Sequence, residues 1–159
     1  FGLSYYYGGN FDLSLNHSYN SIKLNKKFAH GQRLFGSSLY QIGEKKRALK
    51  EMNKALELYV DTYGQWRTYY ELWRFSFLND DYNNAKKYAE KLVKLQPEYP
   101  QSYIGYLSSF GKGADTKKMK SKLMELVPNF SPAMIKNFHS WIRDDQASKI
   151  IERLRKHIS

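Results

Sequence analysis

No cysteine occurs among the 159 residues, so neither a disulfide framework nor a thiolate metal site is open to this chain. No apolar run approaches the roughly 20 residues that a membrane-spanning helix needs, and no signal peptide is visible at the start. Proline is scarce, with 4 residues, and Pro97 and Pro128 fall where helical patterns stop. Acidic side chains are outnumbered 15 to 26 by Lys and Arg, which gives a net charge of +11. The excess is densest in the tail, where residues 112–159 carry 11 basic against 5 acidic groups. A balance of this kind favours anionic partners, but it also describes a solvated, lysine-rich surface. Aromatics, by contrast, are abundant: 14 Tyr, 9 Phe and 3 Trp argue for a packed core and against disorder. The length predicts a single domain spanning 1–159. The chain opens on Phe1 inside an apolar pattern, FGLSYYY, which reads as a fragment of a longer protein.

The stretch Asp81–Pro97 organises the rest. Ala85 and Ala89 supply small residues, Tyr88, Leu92, Val93 and Leu95 supply apolar ones, and lysines lie between them. This is a helical period with one apolar and one solvated face. Asp80 or Asp81 is placed to cap the first turn. The cassette recurs upstream as Glu44–Val60, with Ala48 and Ala55 at the small positions, and more weakly as Asn10–Lys26. Gly9 to Gly43 and Ser14 to Ala48 are both offsets of 34, whereas Ala48 to Ala85 is 37, which predicts a three-residue insertion around Val60–Gly64.

An offset near 34 is that of tetratricopeptide repeats (TPRs), and the residues agree with it. Phe35-Gly36, Leu39, Gly43, Ala48, Met52 and Ala55 stand where that family has Leu-Gly, Tyr, Gly, Ala, an aromatic and Ala. Leu72, Asp80, Ala85, Ala89, Leu92 and Pro97 occupy the corresponding places in the next unit, and Phe1-Gly2, Tyr5 and Gly9 survive in the first. The chain resembles TPRs from residue 1 to about 128. The resemblance implies an all-α, right-handed α-solenoid of about 3.5 helix-turn-helix repeats with C-terminal capping helices. The expected parsing is a partial repeat over 1–26, repeats over 27–64 and 65–98, a degenerate repeat over 99–128, and capping helices over 129–159. In the degenerate repeat the helices are expected at Gln101–Phe110 and Thr116–Leu126, and the caps at Pro132–Ile142 and Asp145–His157. Trp73 departs from the pattern, standing where Gly36 sits one repeat earlier, while Ala89 replaces an aromatic. Either a volume-conserving exchange between helices or a local shift of alignment explains this.

Pro128-Asn129-Phe130-Ser131, Arg143-Asp144-Asp145 and Ile151-Glu152-Arg153-Leu154-Arg155-Lys156 resemble the segment that closes the TPR region of bacterial class III adenylate cyclases and winged-helix transcription regulators. Gln146 departs from it, since a Pro is usual there. The resemblance implies the C-terminal, non-catalytic part of a cytoplasmic, multidomain signalling protein.

No enzyme is legible. His17, His30, His139 and His157 show no helical i, i+4 pair that would hold a metal, and packing or surface roles explain them. Asp80-Asp81 and Asp144-Asp145 precede helices and read as caps. Gly111-Lys112-Gly113 lacks the rest of a phosphate-loop frame and a preceding strand, and no strand-turn-helix elbow carries a nucleophilic Ser. No cofactor is expected.

Two surfaces are candidates. In TPRs the first helices line a concave groove, which would here present Tyr6, Tyr7, Arg33, Ser37, Tyr40, Gln41, Arg67, Tyr70, Arg74, Phe77 and Ile104. Tyr, Phe and Arg are residues that interface hot spots favour, so an extended peptide or helix with acidic groups suits this face. Some of these aromatics could instead pack between repeats. The family's carboxylate clamp needs Lys and Asn where this chain has Arg33, Ser37 and Arg74, so it is not carried over. On the convex side Lys50, Lys54, Lys87, Lys91, Lys118 and Lys122 recur at equivalent places, as a solvated face or as a site for nucleic acid or another polyanion. The expected function is a non-catalytic protein-interaction module whose partner is a protein, a peptide, its own upstream domain or, through the tail helices, a second copy.

Overall fold

The computed structural model describes residues 1–111, 113–138, 144–156 and 158, and among them all regular structure is helical. The chain forms two compact units, residues 1–72 and 73–159, divided inside one helix. The first unit contains α1 (Gly2–Tyr7), α2 (Phe11–Leu24), α3 (Ala29–Gln41), α4 (Lys45–Leu58) and the first part of α5 (Thr62–Leu78). Within it α1 packs on α2, α2 on α3 and α3 on α4, while α1 also touches α3. The second unit holds the end of α5, then α6 (Tyr82–Leu95), α7 (Pro100–Ser109), α8 (Ala114–Leu126), a 3₁₀ turn (Pro132–Met134), α9 (Ile135–Phe138) and α10 (Asp144–Arg155). There α6 packs on α7 and α7 on α8, while α10 lies against α7, α9 and the 3₁₀ turn. The helix expected over Pro132–Ile142 starts as that 3₁₀ turn. Its end, with His139, lies outside the described residues, as do Lys112, Arg143 and His157. The supposed insertion around Val60–Gly64 is where α5 begins, with Asp61 Oδ1 accepting from the Gly64 amide at 2.6 Å.

The backbone repeats as the residues do. Gly9, Gly43 and Asp80 all have positive φ, at 78°, 94° and 61°. Each ends the first helix of a pair with the same two hydrogen bonds. The amides of Gly9, Gly43 and Asp80 reach the Tyr6, Tyr40 and Phe77 carbonyls, and the following amides of Asn10, Glu44 and Asp81 reach Tyr5, Leu39 and Ser76. This is the Schellman arrangement, which satisfies carbonyls that a helix end would leave bare. Glycine adopts the left-handed turn without strain, and Asp is among the few other residues that tolerate it. The next helix is then capped by Asn10 or Asp81, whose side chains accept from the Leu13 and Asn84 amides at 3.2 Å. Asp81 is therefore the cap of α6 and Asp80 is the turn residue.

Small residues set the helix spacing. A Cβ on Gly36 would lie 3.1 Å from the Ala48 carbonyl oxygen and 3.2 Å from the Met52 amide, so α3 and α4 approach backbone to backbone. Ala48, Met52 and Ala55 are fully buried there, with Phe35 and Leu39 beside them. Each such large apolar side chain contributes about 1.5–3 kcal/mol by leaving water. Ser14, at the place of Ala48, instead pairs its buried hydroxyl with Ser38 on α3 at 2.8 Å. In the second unit the large Trp73 is accommodated by α7. Its indole lies where a Cβ on Gly105 would touch it at 3.3 Å, and its Nε1–H donates to Ser109 Oγ at 2.9 Å. Gly105 and Ser109 are one helical turn apart, so a stripe of small residues forms the seat for the ring. Gly36→Val is expected to cost about 1–3 kcal/mol, because the added methyls meet backbone that cannot swing aside. Urea denaturation followed by circular dichroism measures this, and an unchanged midpoint would contradict the backbone contact.

Candidate functional site

The face expected to present eleven residues is largely closed. Tyr6, Arg33, Ser37, Tyr40, Tyr70, Arg74, Phe77 and Ile104 are buried, and Gln41 and Arg67 are half-buried. Tyr7 alone of the eleven is exposed, at 42%. The resemblance placed Arg33 and Arg74 on an open face, yet both are buried.

In the second unit the enclosure comes from the tail. Ala147, Ile150 and Leu154 line one stripe of α10 and are fully buried. Around that stripe are polar anchors. Gln146 Oε1 accepts from Arg74 Nη1 at 3.4 Å, and Lys149 Nζ donates to the Leu78 carbonyl at 3.2 Å and to Asp80 Oδ1 at 2.8 Å. The Arg153 guanidinium lies 4.3 Å from the Tyr82 ring centroid, and Lys149 is 5.8 Å from that of Phe77. The hydrogen bond from Lys149, aided by one from the Tyr82 hydroxyl, holds the Asp80 carboxyl below the usual carboxylate range. Phe77 also meets the rings of Trp73 and Tyr82 at 5.7 Å. The tail helix thus uses its buried apolar stripe inside its own unit, which removes that stripe as a surface for a second copy.

In the first unit a cationic cluster is half-buried at Arg67 and buried at Arg33. Arg67 on α5 donates to the Tyr63 hydroxyl at 3.1 Å and, across to α1, to the Tyr7 hydroxyl at 2.9 Å. Tyr63, Trp66 and Tyr70 stack along α5 with centroids 6.2 and 5.6 Å apart. Gln41 Nε2 donates to the Tyr6 hydroxyl at 3.2 Å. On α3 the Arg33 Nη2 lies 3.5 Å from His30 Nδ1. Burial first, then the charges of Arg33 and Arg67, push His30 down to about 4. Burial alone would lower Arg67, but hydrogen bonds to Tyr63 and Tyr7 outweigh it and raise the guanidinium further. Tyr63 and His30 were missed as members of this cluster. Their i, i+4 and i, i+3 spacings to Arg67 and Arg33 carried the signal.

The remaining sequence candidates are plainly placed. Lys50, Lys54, Lys87, Lys91, Lys118 and Lys122 are all exposed on second helices. Lys54 pairs with Glu51 at 3.0 Å and Lys122 with Glu125 at 2.7 Å. His17 stacks on Tyr5, its ring 5.2 Å away. Asp144 pairs with Lys136 at 2.7 Å. Among the described residues no group of three or more His, Asp and Glu is placed to hold a metal, and no helix is long and apolar enough to cross a membrane.

The low value for His30 makes a pH prediction. Unfolded, the imidazole takes a proton near pH 6.5; folded, it resists until about 4. The unfolded chain therefore binds the extra proton more readily, and stability must fall as the pH drops from 6.5 towards 4. In His30→Gln this part of the acid loss should disappear. Urea midpoints of both proteins across that range measure it, and parallel curves would contradict the assignment.

No known protein-family profile matches the sequence, and neither does any curated protein. Among solved structures the chain is similar to the crystal structure of MamA, with a TM-score of 0.65 and 16% identity over 99% of this chain and 94% of that one. MamA is a TPR-like helical-repeat protein, and at this identity the likeness is one of fold: the chain has a TPR-like helical-repeat architecture.

Proposed function

We propose that the chain is a non-catalytic protein-interaction module that docks a peptide or a partner domain on the first-helix face of its first unit. One observation supports this above the others: Tyr7 and Tyr63 are exposed, yet a shared Arg67 hydrogen-bonds both hydroxyls. Aromatic rings held in place lose little entropy on binding, and Tyr and Arg dominate interface hot spots. The guanidinium favours a partner segment with acidic groups. The parsing into repeats over 1–26, 27–64, 65–98 and 99–128 with caps over 129–159 belongs to this reading, supported by the three matching turns. So does a place in a larger bacterial signalling or transcription-regulatory protein, for which the tail motif is the support. Gln146 stands against it, since it departs from the motif and is used to meet Arg74.

The second reading is a polyanion site on the second helices. All six lysines are exposed, and Lys50, Lys87, Lys91 and Lys118 form no ion pair among the described residues. Binding of that kind would weaken steeply with salt.

Peptides selected from a random displayed library should bind the full chain, and Tyr7→Ala with Arg67→Ala should weaken them by roughly thirtyfold or more, as loss of a hot spot does. Fluorescence anisotropy reads this. Failure to select any peptide, or binding indifferent to both changes, would reject the docking face. A shift of mixed RNA and DNA at physiological salt, abolished by Lys50→Glu, Lys87→Glu and Lys118→Glu, would favour the second reading instead.

A further inference from the structure

One stripe of its surface holds α10 to the second unit. Ala147, Ile150 and Leu154 are fully buried, whereas Asp144, Asp145, Ser148, Glu152 and Arg155 are exposed. Spacings of three and four residues put the buried three on one side of the helix. α10 lies against α7 and reaches the end of α5, and both of these are first helices of their pairs. Two residues of the expected groove face meet it directly. Arg74 donates to Gln146, and the Phe77 ring centroid lies 5.8 Å from Lys149 Nζ. The flank of α10 is matched in charge to what it touches. Lys149 bonds the Leu78 carbonyl, at the negative end of α5, and the Asp80 carboxylate. One turn on, the Arg153 guanidinium stands over the Tyr82 ring. The hold is nevertheless modest. The Lys149–Asp80 pair leaves 28% and 66% of its side chains in water, where such pairs are weak.

We infer that the first-helix face of the second unit is a groove for an amphipathic helix, and that α10 is its resident occupant, displaced by a partner helix of the same pattern. That pattern is written in α10 itself. A small residue and two large aliphatic ones stand at i, i+3 and i+7, with cations at i+2 and i+6. Helices are recognised in grooves by anchors at such spacings. Asp80 and the carbonyl end of α5 select the basic flank and reject an acidic one. Because α10 belongs to the same chain, a free helix competes against a high effective concentration and binds the closed unit weakly. Release of one helix while its neighbours stay folded is a local opening of the low-cost kind. The groove lies wholly in the second unit and does not rest on the docking face of the first.

A fluorescein-labelled peptide of residues 144–156, titrated into the full chain and read by anisotropy, tests this. Ile150→Asp in the chain should unseat α10 and tighten peptide binding by roughly tenfold or more over the parent. A peptide carrying Ile150→Asp should bind neither protein. Should the Ile150→Asp chain fail to fold, Lys149→Glu with Arg153→Glu, which removes only contacts at the rim, takes its place with the same expectation. In the parent, hydrogen exchange read by mass spectrometry should find the α10 amides exchanging faster than those of α6 and α7. Peptide that binds variant and parent alike, or neither, would overturn the groove, and so would α10 amides that exchange only with the whole unit. A dimer in light scattering that trades α10 between copies would give the seat to a second copy and overturn the partner helix as its occupant.

Discussion

A methyl group added at Gly36 would stand 3.1 Å from a carbonyl oxygen of the neighbouring helix, and this closeness sets the terms for the first unit. Helices that touch backbone to backbone leave room at their crossing only for hydrogen, methyl or hydroxyl. That is why Gly36 faces Ala48, and why Ser14 meets Ser38 hydroxyl to hydroxyl. The approach also demands an abrupt reversal between paired helices. The left-handed residue at Gly9, Gly43 and Asp80 supplies it, and the paired hydrogen bonds make the turn self-satisfied. The second unit meets the same demand differently. With Trp73 at the crossing, the small residues move to the neighbouring α7, where Gly105 and Ser109 receive the ring. Volume is conserved, but the partner that yields is not the one paired in sequence.

Dense packing of this kind decides what is left for function. Each unit buries its large apolar residues between helices, so the surface of the first helices carries only their amphipathic side chains. In the second unit α10 lies against α7 and anchors to the end of α5, and Phe77 and Ile104 are wholly enclosed. Its ion pair with Asp80 is partly exposed and contributes little by itself. The buried stripe of Ala147, Ile150 and Leu154 is the stronger hold. In the first unit the exposed Tyr7 and Tyr63 are held by the half-buried Arg67, while Arg33 is enclosed.

The helices and their turns were legible because they depend on residues close in sequence. Gly9 and Gly43 announced a left-handed turn, and Asp80 stood at the same place with a side chain that tolerates it. Ala48, Ala85 and Ala89 announced the crossings. The seat for Trp73 was not legible, because Gly105 and Ser109 lie more than thirty residues away and read as ordinary helix content. Nor was the burial of Arg33 and Arg74, since an arginine in sequence reads as a surface residue. The resemblance therefore named eight side chains that are buried among its eleven. His30 looked like a packing residue, and burial is the first cause that keeps it neutral, ahead of the charges of Arg33 and Arg67.

That charge has a simple origin in a chain with few acids. Within the first unit Glu71 is buried on α5, and two other carboxylates have duties elsewhere. Glu51 accepts from Gln32 and Lys54 on the far side of α3, and Asp61 caps α5. Neither is a polar contact of Arg33 or of Arg67. Tyrosine hydroxyls therefore take the place a carboxylate would fill, and a phenol oxygen can accept a hydrogen bond without cancelling a positive charge. Burial first, then the charges of Arg33 and Arg67, make His30 give up its proton. The guanidinium of Arg67 is thus held in place by tyrosine hydroxyls from α1 and from its own helix.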